Sequence, residues 1–522
     1  MPLSLRRPLL HTTLVAAVVV AVWGACLAGP ATAAPAPKLR SLGAGGWCWF
    51  ADPRGVYHRG GRSRTYVGWL DREGDVKIAS YDHTSKVRTT AVLHWRLGHD
   101  DHNNPSLHVR PDGRVVVFYS EHNGRKMYYR TSHRPEDVTA WGRERSIPTN
   151  TRKQSTGSVR GNTYPNPIWL PAERRLWLLW RGGSTWPTFA STGNGGRTWT
   201  KARNLIRSPH HRPYLKAASS NRDRIHFAFT KGHPSRGNRE IYYARYKRGS
   251  FYRANGRRIG SMSSLPLELK EVDKVHSRGR ETTWIHDVAA DSSGRPIVVY
   301  ASIASPRKHF YWYARWTGAR WVRHRFVAAG GTIADNGAEP KYSGGITLDH
   351  ENPSVVYLSR EIRGMHEVET WRTSNGGSRW RRTPVTSGSG VENVRPISPR
   401  GLRTFGTDMS VLFMRGNYRH YVDYETNITT RLLNGGNLPP ASEAKAAART
   451  GSAPGVLRFD GSPASDPDGR IVDFAWSFGD GAGDRGRTPT HRYRRPGRYF
   501  PRLTVTDDNG DKDVFVEEVV VR

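Results

Sequence analysis

Two histidines, a tyrosine and an arginine stand at spacings that could move protons. His102 and His122 flank a stretch centred on the turn Pro111-Asp112-Gly113. In an antiparallel hairpin, residues equidistant from the turn lie opposite one another on one side of the sheet. Positions 102 and 122 are equidistant from 112, so the two imidazoles are expected side by side at the hairpin's open end. The next hairpin, centred at 173, sets Tyr164 opposite Arg181. A turn near Arg222 sets Arg212 opposite His233, with Arg236 and Asn238 just beyond, and a turn near Glu351 sets Tyr342 opposite Arg360. Breaking the O4 bond of a substituted uronic acid by β-elimination needs these kinds of group. A cation offsets the carboxylate, a base takes the C5 proton, and an acid protonates the departing oxygen. Arginine suits the first task through its bidentate fork, and histidine and tyrosine suit the others. Hydrolysis would want two carboxylates in the same place, which these matched ends do not offer.

Short hairpins must carry these groups. Helical periodicity is nearly absent, and a polar turn followed by β-branched and aromatic residues recurs seven times, beginning at Gly61, Asp112, Glu173, Asn221, Ser293, Asn352 and Gly406. The spacing of roughly 50 to 70 residues matches one four-stranded propeller blade. The expected fold class is all-β: a seven-bladed β-propeller over residues 45–433, followed by a small β-sandwich. Blades surround an axis, so the hairpin ends converge on one mouth of a central channel. Each residue also has a plainer reading. A single histidine after a strand is usually a surface loop residue, Tyr164 could be a core aromatic, and Arg181 could pair with a carboxylate. His226, between Ile225 and Phe227, reads as lining the core. Asp100 and Asp101 could cap a turn or help hold a calcium ion.

The first 33 residues have a basic start, an apolar run over about Leu14 to Val22 and small residues near Ala31, and read as a secretory signal peptide. Export to the outside of the cell, without membrane insertion, is the expectation. Of the two cysteines, Cys26 falls in that segment, so Cys48 alone remains. That excludes an intramolecular disulfide and a thiolate zinc cluster. The net charge of +36 draws polyanions, although arginine-rich base composition could also produce it. The 18 tryptophans and 22 tyrosines suit β cores and sugar-stacking surfaces. The expected partner is an anionic polysaccharide and the expected state a monomer. Nucleic acid ranks last, because charge alone would need none of the channel residues.

Residues 434–454 read as a small-residue, proline-bearing linker. The motifs DGS at Asp460, SDPDG at Ser465, WSFGDG at Trp476, HRY at His491, PGRY at Pro496 and LTVTD at Leu503 make residues 455–522 closely resemble a PKD domain. That resemblance implies a spacer or substrate-contact module without catalysis. The stretches GWCWFADPR (46–54), DDHNNPS (100–106), YSEH (119–122), TYPNP (163–167), WRG (180–182), GHP (232–234) and WIHD (284–287) resemble the BNR-repeat propeller family of polysaccharide lyases. That family includes ulvan lyases and rhamnose–glucuronate lyases acting on arabinogalactan side chains. TGNGGRTW from Thr192 and TSNGGSRW from Thr373 are similar to its Asp boxes, which mark outer turns of blades.

The resemblance implies active-site roles for His102 and His122, with Tyr164 the catalytic phenol and Arg181 the carboxylate neutraliser. His102 is taken as base and Tyr164 as acid, while the reverse, or Tyr164 in both roles, stays open. His122 would orient or help neutralise the carboxylate. Arg212, His233, Arg236, Asn238, Tyr342 and Arg360 are the candidate substrate-binding residues. No cofactor is required, and a calcium ion near the axis stays open. Two departures stand out: the interval from Tyr164 to Arg181 is one residue longer than in the family, and the cysteine-containing zinc site of some ulvan lyases is absent. The second tilts the expectation towards the rhamnose–glucuronate group. The alternatives are a sialidase-type propeller glycoside hydrolase and a non-catalytic glycan-binding propeller.

Overall fold

A computed structural model describes residues 38–522, apart from 154–158, 221, 278, 335–338, 404–406, 433–436 and 448. The expected signal peptide, with Cys26, lies outside the described residues. No helix among them is long and apolar enough to cross a membrane.

Among the described residues, seven sheets of four or more strands follow one another along the chain. Their leading strands are Gly55–Arg59, Ser106–Val109, Thr163–Leu170, Leu215–Ser220, Thr282–Ala290, Ile346–Leu348 and Asn393–Ile397. Each of the first six is followed by at least three further strands in sequence order, because short polar turns join runs rich in β-branched and aromatic residues. The seventh sheet obtains its fourth strand from the other end of the chain. Lys38–Ala44 pairs with Asp423–Leu432, so the first described strand completes the last sheet. The two Asp-box stretches are turns between the third and fourth strands of the third and sixth sheets. In each, a threonine Oγ1 accepts a glycine N–H, from Gly196 to Thr192 at 3.1 Å and from Gly377 to Thr373 at 2.9 Å.

After Lys38–Ala44 the chain turns inward. Trp47, Cys48, Trp49 and Phe50 are all at most 5% exposed and join one large core with residues of several sheets. Trp49 Nε1 donates to Ile285 O at 3.2 Å and Trp47 Nε1 to Arg395 O at 3.0 Å. Cys48 N donates to Asp101 O at 3.0 Å, and Asn166 Nδ2 donates to Phe50 O at 2.8 Å. One short apolar segment therefore ties the second, third, fifth and seventh sheets together. Its tryptophans bury large apolar area while their N–H groups stay paired, which is the condition for placing indoles inside.

The C-terminal sandwich pairs directly with the first sheet. Lys512–Val516 runs parallel to Arg88–His94, so the sheet continues from one into the other. The junction is held by charge: Arg88 is bidentate on Asp513 at 2.9 and 2.5 Å, and Glu518 takes Arg130 of the second sheet at 2.5 Å as well as Arg498 of the sandwich itself at 2.5 Å. Within the segment expected as a linker, Lys445–Ala446 and Thr450–Gly451 are short strands paired with Gly455–Asp460 and Val519–Val521 of the sandwich.

Candidate active site

The site begins at a one-turn 3₁₀ helix, Asp101–Asn103. Asp100 caps it, accepting from His102 N at 3.0 Å. Below the turn, fully buried Asp101 receives both the Arg395 guanidinium and, at 2.7 Å, the Tyr418 hydroxyl. That buried ion pair, made through Asp101 Oδ2, fixes the turn to the seventh sheet. The ladder between Ser106–Val109 and Val115–Tyr119 runs Ser106 to Phe118, the register that extends to 102 opposite 122. The two imidazoles do lie together, with centroids 4.2 Å apart and planes within 10°. Each gives its Nδ1 edge to the same carboxylate: His102 to Asp100 Oδ1 at 2.5 Å and His122 to Asp100 Oδ2 at 2.9 Å. The two imidazoles hold the Asp100 carboxyl well below the usual range despite its burial. It can therefore only accept, and both Nδ1 atoms must carry hydrogen. The Nε2 edges are left for the cavity. Burial lowers the His122 pKa to about 4 even though Asp100 works in the other direction.

Tyr164 and Arg181 meet by a different route from the one the hairpin count implies. The ladder pairs Thr163 with Arg181 and resumes at Asn166 with Leu179, leaving a bulge at 164–165. Pro165 has no N–H to give the ladder, and Tyr164 takes a φ of +64°, a sparsely populated conformation for a tyrosine. The bulge aims the phenol at the cavity. Arg181 Nη1 donates to Tyr164 Oη at 3.5 Å and to Tyr214 Oη at 3.4 Å, and Nη2 donates to Asn123 Oδ1 and Thr163 Oγ1, both at 3.1 Å. All four acceptors are neutral. Among the described residues no carboxylate lies within ion-pair range of this buried guanidinium, whose charge is met by neutral acceptors alone. Burial raises the Tyr164 phenol well above its ordinary pKa, although Arg181 works against that.

His102, His122 and Tyr164 line a cavity of about 930 Å³ together with Trp186, His210, His211, Arg212, Tyr214, His233, Arg236, Glu339, Tyr342 and Tyr421. The expected residues Arg212, His233, Arg236 and Tyr342 thus share it, although the registers differ from the count. The Leu215–Ser220 ladder pairs Leu215 with Phe229, which puts Gly232 rather than His233 across from Arg212. The sixth sheet pairs Ile346 with Leu358, which puts 344 rather than Tyr342 across from Arg360. Arg360 is outside the cavity lining, bidentate on Glu369 at 2.8 and 3.2 Å, a cross-strand pair within its own sheet. Asn238 is spent on its own loop: its amide donates to Glu240 O and Thr283 O and accepts from Lys231 N. His226 is a core histidine, held between Ser220 Oγ and Tyr243 Oη at 2.7 Å each.

Tyr214, Tyr421 and Glu339 escape the sequence reading, and Asp100 entered it only as a turn cap or calcium ligand. Tyr214 enters on the strand lead-in of the fourth sheet, and Tyr421 lies edge-on to His102 at 4.7 Å from the turn of the last hairpin. Asp100 organises the histidines. Glu339 brings a carboxyl whose pKa burial raises, with His102 and Arg395 opposing. Two three-residue groups among the described residues could share a cation, Asp100-His102-His122 and Cys48-Asp101-His102. Neither resembles the cage of about six to eight oxygens that calcium takes.

Comparison with known proteins places these features. The profile described as BNR repeat-containing family member matches residues 64–329, and a PKD domain profile matches 437–521. Among solved structures, a polysaccharide lyase PL25 ulvan lyase bound to -[GlcA(1-4)Rha3S]- superposes with a TM-score of 0.57. It is 16% identical, over 75% of this chain and 94% of that one. At that identity the likeness speaks for the fold alone. Collagenase ColA of Clostridium perfringens is 44% identical over 54 residues, 10% of this chain and 5% of its own length. The pre-pro-metalloprotease PrtV of Vibrio cholerae is 29% identical over 126 residues, 24% of this chain and 13% of its own length. The chain therefore spans only a small part of these curated relatives.

Proposed function

This chain belongs to the BNR repeat-containing family, and we propose that it is a secreted polysaccharide lyase cleaving a 4-O-substituted glucuronate by β-elimination. We read the seven sheets as seven blades of a propeller around the Trp47–Phe50 segment, with the cavity at one mouth. The observation that carries the reading is the Arg181 guanidinium, buried without a carboxylate and touching the phenol of Tyr164 beside two imidazoles anchored on Asp100.

In this reading the uronate carboxylate takes the place opposite Arg181, and its charge is offset there, which acidifies the C5 proton. His102 Nε2 removes that proton, its Nδ1–H held on Asp100. The electron pair forms the C4–C5 double bond as the C4–O4 bond breaks, and Tyr164 Oη–H gives its proton to the leaving oxygen. The high pKa of the buried phenol keeps that proton in place through neutral pH. His122 shares the carboxylate of Asp100 and, being neutral above about pH 4, hydrogen-bonds the substrate rather than pairing with it as a charge. The ulvan lyase neighbour, bound to a glucuronate-containing glycan, supports the choice of substrate class. The step as written requires no cofactor.

Glu339 gives a second reading some footing, because a carboxyl and a tyrosine in one cavity are what a sialidase-type hydrolase would use. The products separate the two. Elimination leaves an unsaturated uronate that absorbs in the ultraviolet, and hydrolysis leaves saturated ends. Incubation with rhamnose–glucuronate and ulvan-like glycans tests the proposal, and saturated products alone would reject it.

A further inference from the structure

A second cavity of about 400 Å³ adjoins the first, and the two share His211 and Arg236 as lining residues. It is lined further by Lys231, Gly232, Asn238, Arg239 and Glu240. Among the described residues, Lys231, Arg236 and Arg239 have no acidic side chain within ion-pair range. The one carboxylate there, Glu240, is taken by Lys274 at 2.8 Å and by the Tyr242 hydroxyl at 2.6 Å. The cavity therefore carries three cationic side chains against one carboxylate that is already bonded.

Hydrogen bonds at both ends hold the loop that builds it. Asn238 Oδ1 accepts from Lys231 N at 3.1 Å, while its Nδ2 reaches Thr283 O at 2.9 Å, so the two ends of 231–238 are clipped to each other and to the fifth sheet. Between them, Pro234–Arg236 forms a 3₁₀ turn, with His233 Nδ1 accepting from Ser235 N at 3.1 Å and Gly237 at a φ of +76° closing it. One preorganised loop thus places His233 in the catalytic cavity and Lys231 and Arg239 in the neighbouring one. Ordering before binding removes part of the entropic cost of holding a charged ligand.

We propose that this second cavity is a subsite for an anionic substituent, sulfate or carboxylate, on a sugar flanking the one that is cleaved. The proposal rests on the lyase reading above and narrows its substrate. Arginine forks and a lysine match the oxygens of either group. A single terminal rhamnose–glucuronate side chain presents one acidic sugar, which the Arg181 site already uses. Two cationic cavities side by side fit a repeating polyanion, bound along several residues. The charge of the chain agrees with this: the C-terminal sandwich, residues 437–522, carries 13 acidic and 13 basic residues, so the excess positive charge lies in the part that holds the two cavities.

The test compares the wild-type protein, Lys231→Ala/Arg239→Ala, and Arg379→Ala/Arg381→Ala, which removes equal charge at the second Asp-box turn. The probes are a polymer of alternating rhamnose 3-sulfate and glucuronate and the same polymer chemically desulfated, with binding and turnover measured separately. We expect the first double variant to raise Kd and KM on the sulfated polymer about ten-fold with kcat unchanged, and the control variant to change neither beyond about two-fold. If the loss vanishes on the desulfated polymer the bound anion is sulfate; if it persists, the anion is a second carboxylate, and either result supports the subsite. Equal losses in the two variants, or no loss on either polymer, would overturn it. A wild-type protein that binds both polymers yet makes no unsaturated ends would reject the lyase reading and leave the binding comparison to judge the cavity.

Discussion

His102 and His122 stack at 4.2 Å and divide one carboxylate between them, each Nδ1 on a different oxygen of Asp100. The arrangement fixes both tautomers, so two Nε2 lone pairs face the same space. Asp100 acts through the imidazoles and is a positioning residue. Asp100→Asn keeps the shape and the cap but removes the anion, and its amide cannot accept from both rings through two oxygens. A fall in kcat of about 10² is expected, with KM changed little. Without the anion that supports the imidazolium, the His122 pKa falls further below about 4, so any acid limb that it sets in the pH–rate profile moves to lower pH. A limb that moved upward would contradict this assignment.

Tyr164→Phe keeps the ring against Phe50, 5.4 Å between centroids, and under the Arg181 guanidinium at 4.7 Å. Only the proton donor is lost. Turnover should fall by about 10³ or more while substrate affinity stays within a few-fold. Arg181→Lys loses the fork that reaches Tyr164, Tyr214, Asn123 and Thr163 together, and should depress kcat and raise KM. Kinetics on a uronate glycan, with binding measured by titration, check both.

Arg360 lies outside the lining of the cavity and is held within its own sheet. Its bidentate partner Glu369 is 1% exposed but also receives Arg382 at 3.2 Å and Trp371 Nε1 at 2.8 Å. Arg360→Ala should leave kcat and KM unchanged and cost about 1–2 kcal/mol of stability, read as a lower Tm.

The stability of the protein should respond to pH through Glu517 in the C-terminal sandwich. This residue is 2% exposed, and burial raises its pKa from 4.5 to about 7, with Arg449 opposing. A raised carboxyl pKa means that the folded state holds the proton longer than the unfolded chain. Its contribution is fully present below about pH 4.5 and is lost as pH rises through 7. Glu517→Gln should flatten the stability curve across that window and be more stable than wild type at pH 8 by an amount on the order of 1–3 kcal/mol. Denaturant melts at several pH values measure it.

How far the site could be read in advance depended on how regular each hairpin was. The second sheet has no bulge between its first two strands, so counting from Asp112 brought His102 and His122 together correctly. In the third sheet Pro165 interrupts the ladder, and the count named the right pair, Tyr164 and Arg181, for a register that does not exist. The fourth and sixth sheets slip from the assumed centre, and counting could not see that Glu369 captures Arg360 from the adjacent strand. Tyr421 and Glu339 come from distant parts of the chain and carry no local pattern. The apolar run Trp47–Phe50 was visible as a motif, but its position among the sheets follows only from the core it shares with residues of several of them.

Ultraviolet absorbance of the products formed by wild type and by Tyr164→Phe from one glucuronate-bearing glycan tests the central claim most directly. A steady rise in the unsaturated-uronate band with wild type, reduced by about 10³ in the variant, is the expected result. Saturated products, or equal rates from the two proteins, would contradict it.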